Sequence, residues 1–283
     1  MIRRIPVILS VLAIASLSCT LGINPPALPT AGPTVTEQIS VPAPEDGGTP
    51  LLQIEFGAGE LDITSGSEAL VSGTASYNFP QFKPTVDQNG AIVTLAQVGS
   101  STPPRLAVQN AVNKWDLELG SMPMNLSIAA GAYKGRYDFG GLALSSLTVK
   151  DGAAEANMTF SAPNTVEMST LSYETGASNV TLEGIGNASP ATFSFRCGAG
   201  NYTLDFSGAM QRDMTGHIEA GLGNVQVVIP EGIPAQVTVE GGLSNITTHG
   251  DWQKSGTTYS QSGEGPAIVL IITIGAGNLE IGN

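Results

Sequence analysis

The sequence is poor in the residues from which metal sites and nucleic-acid surfaces are usually built. It has two histidines, two cysteines and 11 Lys plus Arg against 24 Asp plus Glu, a formal net charge of −13 at pH 7. His217 and His249 stand far apart, and neither has cysteines or a carboxylate pair at metal-ligand spacing. The excess of negative charge disfavours nucleic acid. We therefore predict no metal, no cofactor and no nucleic-acid partner.

Sequence motifs of catalysis are missing as well. There is no G-x-S-x-G motif of serine hydrolases and no Gly-rich loop that precedes a helix with a lysine. Cys197 lies in an alternating apolar pattern, which favours a small buried side chain over a nucleophile. We predict that the protein has no catalytic residues and is not an enzyme.

The apolar runs are too short for a membrane span, which needs roughly 20 residues. The N-terminal run follows Arg3 and Arg4 and ends in ASLS before Cys19. This pattern predicts a signal peptide over residues 1–18, and the small residues ahead of Cys19 resemble a bacterial lipobox. We therefore predict lipid attachment at Cys19 and an extracytoplasmic protein anchored to a bacterial membrane. The alternative is cleavage elsewhere by an ordinary signal peptidase.

Residues 19–50 have almost no bulky apolar side chains and contain seven prolines from Pro25 to Pro50. Such a segment cannot bury a core, so we predict a flexible tether after the lipidated cysteine. Loss of the signal peptide removes two arginines and leaves 9 basic against 24 acidic residues in the mature chain.

The sequence contains a repeated motif, which is clearest as CGAGNYTLDF at residues 197–206. Its asparagine recurs with steps of 22, 22, 23, 21 and 33 residues, at Asn157, Asn179, Asn201, Asn224, Asn245 and Asn278. Arg136 and Glu60 head two earlier copies. Strands on each side of a Gly-rich corner, repeated about every 22 residues, predict an all-β parallel solenoid of about eight coils.

The residues around each corner alternate as β-strands do. Tyr202, Leu204 and Phe206 fall on one face and Thr203 and Asp205 on the other. The apolar side chains would stack into one interior. The asparagines would form a ladder in which each amide binds its copy in the next coil.

The repeat lapses twice. Between the first copy and residue 125 the pattern predicts strands at residues 71–77 and 91–97 with a turn at Asn89 and Gly90, so residues 51–125 should hold the first coil and a β-rich cap. Residues 126–283 should be the solenoid proper. The second lapse, residues 250–266, is polar and carries Trp252 and Tyr259. We predict these aromatics as a partner contact, the alternative being a hairpin packed onto its neighbours.

The order of the phrases NKWDLEL, MNLSIAAGA, VTLEGIGNASP, FRCGAGNYTLDFSG, EAGLGNVQVVIPEG and IGAGNLEIGN resembles the toast-rack and LiaF-like C-terminal domains of bacterial envelope proteins and the related adhesin solenoids. The resemblance covers most of residues 51–283. It implies a right-handed, single-stranded β-helix, a place in the cell envelope and a link to envelope stress responses. It implies no catalytic residue.

Two functions follow from these patterns. In the first, the chain is a non-catalytic, adhesin-like module that binds a cell-wall polymer, a glycan or an envelope protein, and also a second copy through the strand edge of its last coil. In the second, it is a carbohydrate-active β-helix enzyme that uses a pair of outward carboxylates in a groove. The predominance of short corners favours the first function.

Overall fold

The computed structural model describes residues 31–45, 47–98 and 110–282, with backbone alone at residues 243 and 244. The predicted signal peptide, Cys19 and the beginning of the predicted tether lie outside the described residues. The described part is almost entirely β-structure, with one short α-helix, α1 (Ile185–Ala188), and a 3-10 turn at Pro80–Phe82. The strands are β1 Val35–Val41, β2 Leu51–Ser67, β3 Val71–Tyr77, β4 Pro84–Asn89, β5 Ile92–Gln97, β6 Asn113–Gly120, β7 Met124–Asp138, β8 Leu144–Thr159, β9 Thr170–Glu183, β10 Thr192–Asp205, β11 Met214–Val228, β12 Ala235–Thr248, β13 Gln253–Ser255, β14 Thr258–Gln261 and β15 Ile268–Gly282. None of the described helices is long and apolar enough to cross a membrane.

Each long strand consists of two limbs joined at a Gly-rich corner. In β10, Phe193, Phe195 and Cys197 are buried before the corner, and Tyr202 and Leu204 are buried after it. The buried positions therefore switch from odd to even numbers across the corner, so both limbs turn their apolar side chains toward one shared core. We call the residues before the corner the first limb and those after it the second limb.

The corners fit together through glycine. A Cβ atom on Gly198 would lie 2.6 Å from the carbonyl oxygen of Gly176, and one on Gly176 would lie 2.3 Å from that of Gly152. Since side chains do not approach so closely, only glycine allows the stacked backbones to touch at this point.

Long strands that are neighbours in the sheet pair in parallel along both limbs. Asn201 of β10 lies opposite Asn179 of β9 and Asn224 of β11. The amide of Asn201 donates to Asn179 Oδ1 at 2.9 Å, and that of Asn224 donates to Asn201 Oδ1 at 2.8 Å. The all-β class, the parallel stacking of repeats and this part of the asparagine ladder are confirmed. The right-handed form with about eight coils stays a prediction.

Asn157 does not belong to the ladder. Asn179 lies opposite Glu155, and Asn157 lies opposite Thr181 one outward position further on. The ladder position is continued toward the N-terminus by charged residues, and Lys134 and Glu155 form an ion pair of 3.2 Å. Ion pairs between opposite charges thus link the side chains of neighbouring strands near the N-terminal end, as hydrogen bonds between amides do in the later strands.

The last strand is not at the end of the sheet. The strand order is β1-β3-β6-β2-β7-β8-β9-β10-β11-β15-β12-β14-β13, so β15 lies between β11 and β12 and pairs in parallel with both. Asn278 accordingly donates to Asn224 Oδ1 at 2.7 Å. The prediction of an unpaired edge at the last coil is wrong, because a strand that precedes β15 in the chain covers that edge. On its other side β12 pairs with β14 only at residues 235–238, so within the described residues its second limb has a partner strand on one side alone.

The N-terminal end is built from shorter strands. On one side β2 pairs with β7. On its other side the first limb of β2 pairs with β5 and the second limb pairs with β6. Beside the corner of β2, Gln97 Oε1 accepts the Gly57 N–H at 2.7 Å and the Asn113 amide donates to the Ala58 carbonyl. These two side chains satisfy backbone groups that a further coil would otherwise bind.

Two predictions about this end are confirmed and one is wrong. The expected strands at residues 71–77 and 91–97 correspond to β3 and β5, and Gly90 forms the hairpin turn with a φ of 59°. The flexible tether predicted for residues 19–50 is wrong for β1. That strand pairs antiparallel with β3, and Ile39 and Val41 are buried.

Candidate functional site

The two predicted contact aromatics belong to a hairpin that packs onto the sheet. Its strands are β13 and β14, and β14 pairs antiparallel with the first four residues of β12. Tyr259 is only 4% exposed, and Trp252 is partly buried against the core. The Lys254 ammonium lies 5.1 Å from the centre of the Tyr259 ring. Tyr259 therefore packs within the fold, and the partner contact at Trp252 and Tyr259 stays a prediction.

Outward carboxylates, the residues that the enzyme alternative needs, are individually engaged. Asp138 Oδ1 accepts hydrogen bonds from Gly140 N–H at 2.9 Å and from the Ser161 hydroxyl at 2.8 Å. Burial tends to raise the pKa of Asp138, but these bonds outweigh it and hold the pKa below its ordinary value. Asp205 binds Ser207, Glu183 binds Thr159 and Glu280 binds His249. Among the described residues, no three His, Cys, Asp or Glu side chains lie close enough to hold a metal ion.

A polar cluster near the corners also serves the fold. The Asp151 carboxylate accepts from the Tyr173 hydroxyl at 2.7 Å and from the Tyr133 hydroxyl at 3.2 Å, and Thr175 donates to its other oxygen. Burial is the main reason why the pKa of each tyrosine is raised, so both remain donors. With three donors bound, this carboxylate is compensated inside the protein.

A concave surface lies near the N-terminal end, on the outer side of β1, β3, β6 and the second limb of β2. It is an open groove of about 570 Å³. That volume lies within the range of roughly 300–1,000 Å³ that is usual for binding sites. We call it the N-terminal groove. Its lining combines carboxylates, hydroxyls and one amide: Gln38, Ile39, Ser40, Asp62, Thr64, Ser72, Gly73, Thr74, Asp116, Leu117 and Glu118.

Pairing across the strands brings the polar side chains of the groove into rows. Gln38 lies opposite Thr74, Thr74 opposite Asp116, and Asp62 opposite both Asp116 and Arg136. Opposite residues share one face of a sheet, so this row points outward together. Antiparallel β1 and β3 extend the parallel second limbs here, and these added strands form one wall of the groove.

Two cations organise the carboxylates. Lys114 Nζ lies 3.1 Å from Asp116 Oδ2 and 3.4 Å from Asp62 Oδ2, and Arg136 Nη2 lies 2.8 Å from Asp62 Oδ2. The hydrogen bond to Asp116 is the largest reason why the pKa of Lys114 is raised. The other oxygen of Asp62, Oδ1, is buried and has no hydrogen-bond partner within the described part of the chain. A buried carboxylate oxygen without a donor costs stability, since its desolvation is not compensated.

This arrangement suits binding better than glycosidic catalysis. A pair of catalytic carboxylates needs the substrate between them. Here the ammonium of Lys114 occupies that place between Asp62 and Asp116. Sequence patterns did not reveal the groove because its residues come from four strands and share no spacing. One sequence feature did point to the groove. Ser and Thr alternate in VSGTASY at residues 71–77, the strand that pairs with the strand of Asp116.

Comparison with known proteins places this geometry in context. A search of curated proteins gives no match. Among solved structures, a candidate cell adhesion protein from Clostridium sporogenes is 18% identical with a TM-score of 0.50, and the match covers 88% of this chain and 99% of that one. A candidate adhesin from Bacteroides fragilis is 11% identical with a TM-score of 0.47, covering 90% and 100% of the two chains. These likenesses concern the fold.

The family comparison covers the part of the chain that contains the groove. Residues 30–183 match the family described as the N-terminal domain of toast_rack, DUF2154. The match spans more than half of the 283 residues, from the start of the described structure to the end of β9. The chain therefore belongs to the toast-rack family.

Proposed function

We propose that this chain is a non-catalytic binding module of the adhesin type, held outside the cytoplasm at a bacterial membrane by a lipid on Cys19. The N-terminal groove carries the proposal, because it combines a ligand-sized volume with converging carboxylate, hydroxyl and amide groups. Its open shape suits a segment of a cell-wall polymer, a glycan chain or a loop of an envelope protein.

The support for the groove is a rigid sheet. In this proposal the eight long strands, β2, β7 to β12 and β15, are the coils of a right-handed β-helix. A binding surface held by such strands loses little conformational entropy on binding. The lipid on Cys19 would supply the attachment to the membrane, and a role in envelope stress would follow from the resemblance to LiaF-like domains.

The experiment compares two threonine-to-lysine variants of the mature chain. Thr74 lies in the groove opposite Asp116, so Thr74→Lys fills the groove with a side chain that its carboxylates accept. Thr203 lies on the outer side of β10, far along the sheet, and Thr203→Lys is the matched control. Labelled residues 20–283 are titrated onto intact bacterial cells and isolated envelope fragments.

We expect the parent and Thr203→Lys to bind alike. Thr74→Lys should bind about tenfold more weakly, the effect of losing about 1.4 kcal/mol. Thermal melts of both variants should match the parent, since both positions face outward. If the parent binds neither cells nor envelopes, the proposed function is wrong. If Thr74→Lys binds like the parent, the groove is not the site.

A further inference from the structure

A second surface lies on the outer side of the first limbs of β7 to β11. Two outward positions on each of these strands carry short polar side chains, and eight of the ten are hydroxyls. We call this surface the hydroxyl face. Its hydroxyl residues are Ser127, Ser146, Thr148, Thr170, Ser172, Thr192, Ser194 and Thr215.

Most of these hydroxyls have no partner inside the protein. Ser146 donates to Asn125 Oδ1 at 2.6 Å. The other seven side-chain hydroxyls make no hydrogen bond with any residue in the ranges that the structure describes. The second limbs differ, because the amides of Asn179, Asn201 and Asn224 bind one another. The hydroxyl face therefore keeps a regular set of donors and acceptors available.

The outward positions of the face hold no Asp, Glu, Lys or Arg, although the protein as a whole is acidic. The outward row beside it carries charges of alternating sign, and these neutralise each other in ion pairs. Lys150 lies 3.2 Å from Glu174, and Arg196 lies 3.3 Å from Glu219. An anionic polymer meets repulsion from the net charge of −13, and a cationic one finds no carboxylate on this face. The partner that fits is neutral.

The spacing of the hydroxyls is set by the sheet. Thr170, Thr192 and Thr215 lie opposite one another on successive parallel strands, which stand about 4.8 Å apart. Thr170 and Ser172 are two residues apart on one strand, which is roughly 6.6 Å. The face thus presents two columns of side chains, most of them hydroxyls, across the strands. A linear polysaccharide offers a matching row of hydroxyl donors and acceptors, one set per sugar.

We infer that the hydroxyl face binds a neutral polysaccharide chain laid along the columns, across the strands. This inference rests on the proposed binding function and names a partner class for it. The face is separate from the N-terminal groove, since its residues lie on the first limbs of β7 to β11 and the groove lies on β1, β3, β6 and the second limb of β2. A polymer engages the protein through many weak hydrogen bonds, so affinity should fall in steps as hydroxyls are removed.

The test removes hydroxyls without changing the shape of the face. The triple variant Thr170→Val, Thr192→Val and Thr215→Val is nearly isosteric and breaks no internal hydrogen bond. The matched control is Thr181→Val, Thr203→Val and Thr247→Val, which removes three outward hydroxyls from second limbs.

A third variant changes the same three positions of the face to serine and so retains the hydroxyls. Affinity electrophoresis of residues 20–283 is run in gels that contain hydroxyethyl cellulose, laminarin or amylose, with polygalacturonate as the anionic comparison.

We expect retardation of the parent, the serine variant and the second-limb control by at least one neutral polymer. The valine variant of the face should bind about tenfold more weakly, because three hydrogen bonds are lost. Light scattering checks that the valine variant is not aggregated.

The inference is overturned if the parent is retarded by polygalacturonate alone or by no polymer. It is also overturned if the valine variant of the face and the second-limb valine control are retarded equally. If the parent binds cells or envelopes but no neutral polymer, the polysaccharide assignment fails and the proposed binding function stands.

Discussion

Replacing Ile272 by alanine tests the position of the last strand. Ile272 is 0% exposed on β15 and lies opposite Ile218 of β11 and Val239 of β12. Strands on both sides hold its surroundings in place, so the cavity left by Ile272→Ala cannot collapse. We expect a loss of about 3 to 4 kcal/mol in the free energy of unfolding, within the range of about 2 to 5 kcal/mol for such changes.

Val269 provides the control on the same strand. Its side chain points outward and is 39% exposed, so Val269→Ala should change the free energy of unfolding by less than about 0.5 kcal/mol. Urea unfolding followed by circular dichroism gives both values, and an unchanged m-value shows that the comparison is between similar unfolded states.

Hydrogen exchange supplies a second measurement. With β15 inside the sheet, its amides should exchange as slowly as those of β11 and more slowly than those of the second limb of β12. The reasoning is refuted if Ile272→Ala costs no more than Val269→Ala, or if the amides of β15 exchange first.

Four further predictions follow from single residues. Leu204→Ala should lower the free energy of unfolding, measured in urea, by about 2 to 5 kcal/mol because Leu204 is 0% exposed. Asn201→Ala should lower it by only about 1 kcal/mol because that ladder amide is exposed. Equal losses would contradict the assigned faces. Burial raises the pKa of the Cys197 thiol to about 12, so a thiol reagent at pH 8 should label it only in denaturant, and rapid labelling of the native protein would contradict this. The depressed pKa of Asp138 stabilises the fold above the unfolded value of about 3.9, and this contribution disappears as the pH falls through the folded value; Asp138→Asn should therefore lower the melting temperature at pH 6 and make little difference near pH 2. Cys19→Ala should release the protein from membranes or stall its maturation, and unchanged fractionation would contradict the predicted lipid attachment.

The local pattern of the sequence was enough to predict the strands and their faces. Alternation around the corner correctly placed Leu204 inside and Thr203 outside, because one side of each limb must be buried. Alignment on asparagine misplaced Asn157. The corner glycines, Gly152 and Gly176, give the observed register, since close backbone contact fixes the corner and an exposed side chain does not.

The order of the strands could not be derived in the same way. β12 and β15 both have the apolar inner face and the small corner residues that a neighbour of β11 needs, so sequence alone does not decide which one pairs with it. The 33-residue step to Asn278 indicated that the repeat is interrupted. It did not indicate that the strand after the interruption lies between β11 and β12. The N-terminal groove was missed for a related reason. It depends on the antiparallel pairing of β3 with both β1 and β6, which places Gln38 and Asp116, 78 positions apart in the sequence, on either side of Thr74.

The place of β15 also bears on how the protein is made. β12 leaves the ribosome or the translocation channel before the strand that must separate it from β11. Until the 15 residues of β15 follow, β11 keeps an open edge and β12 lacks its parallel partner. A prematurely terminated chain therefore exposes a long strand edge, which invites aggregation and proteolysis.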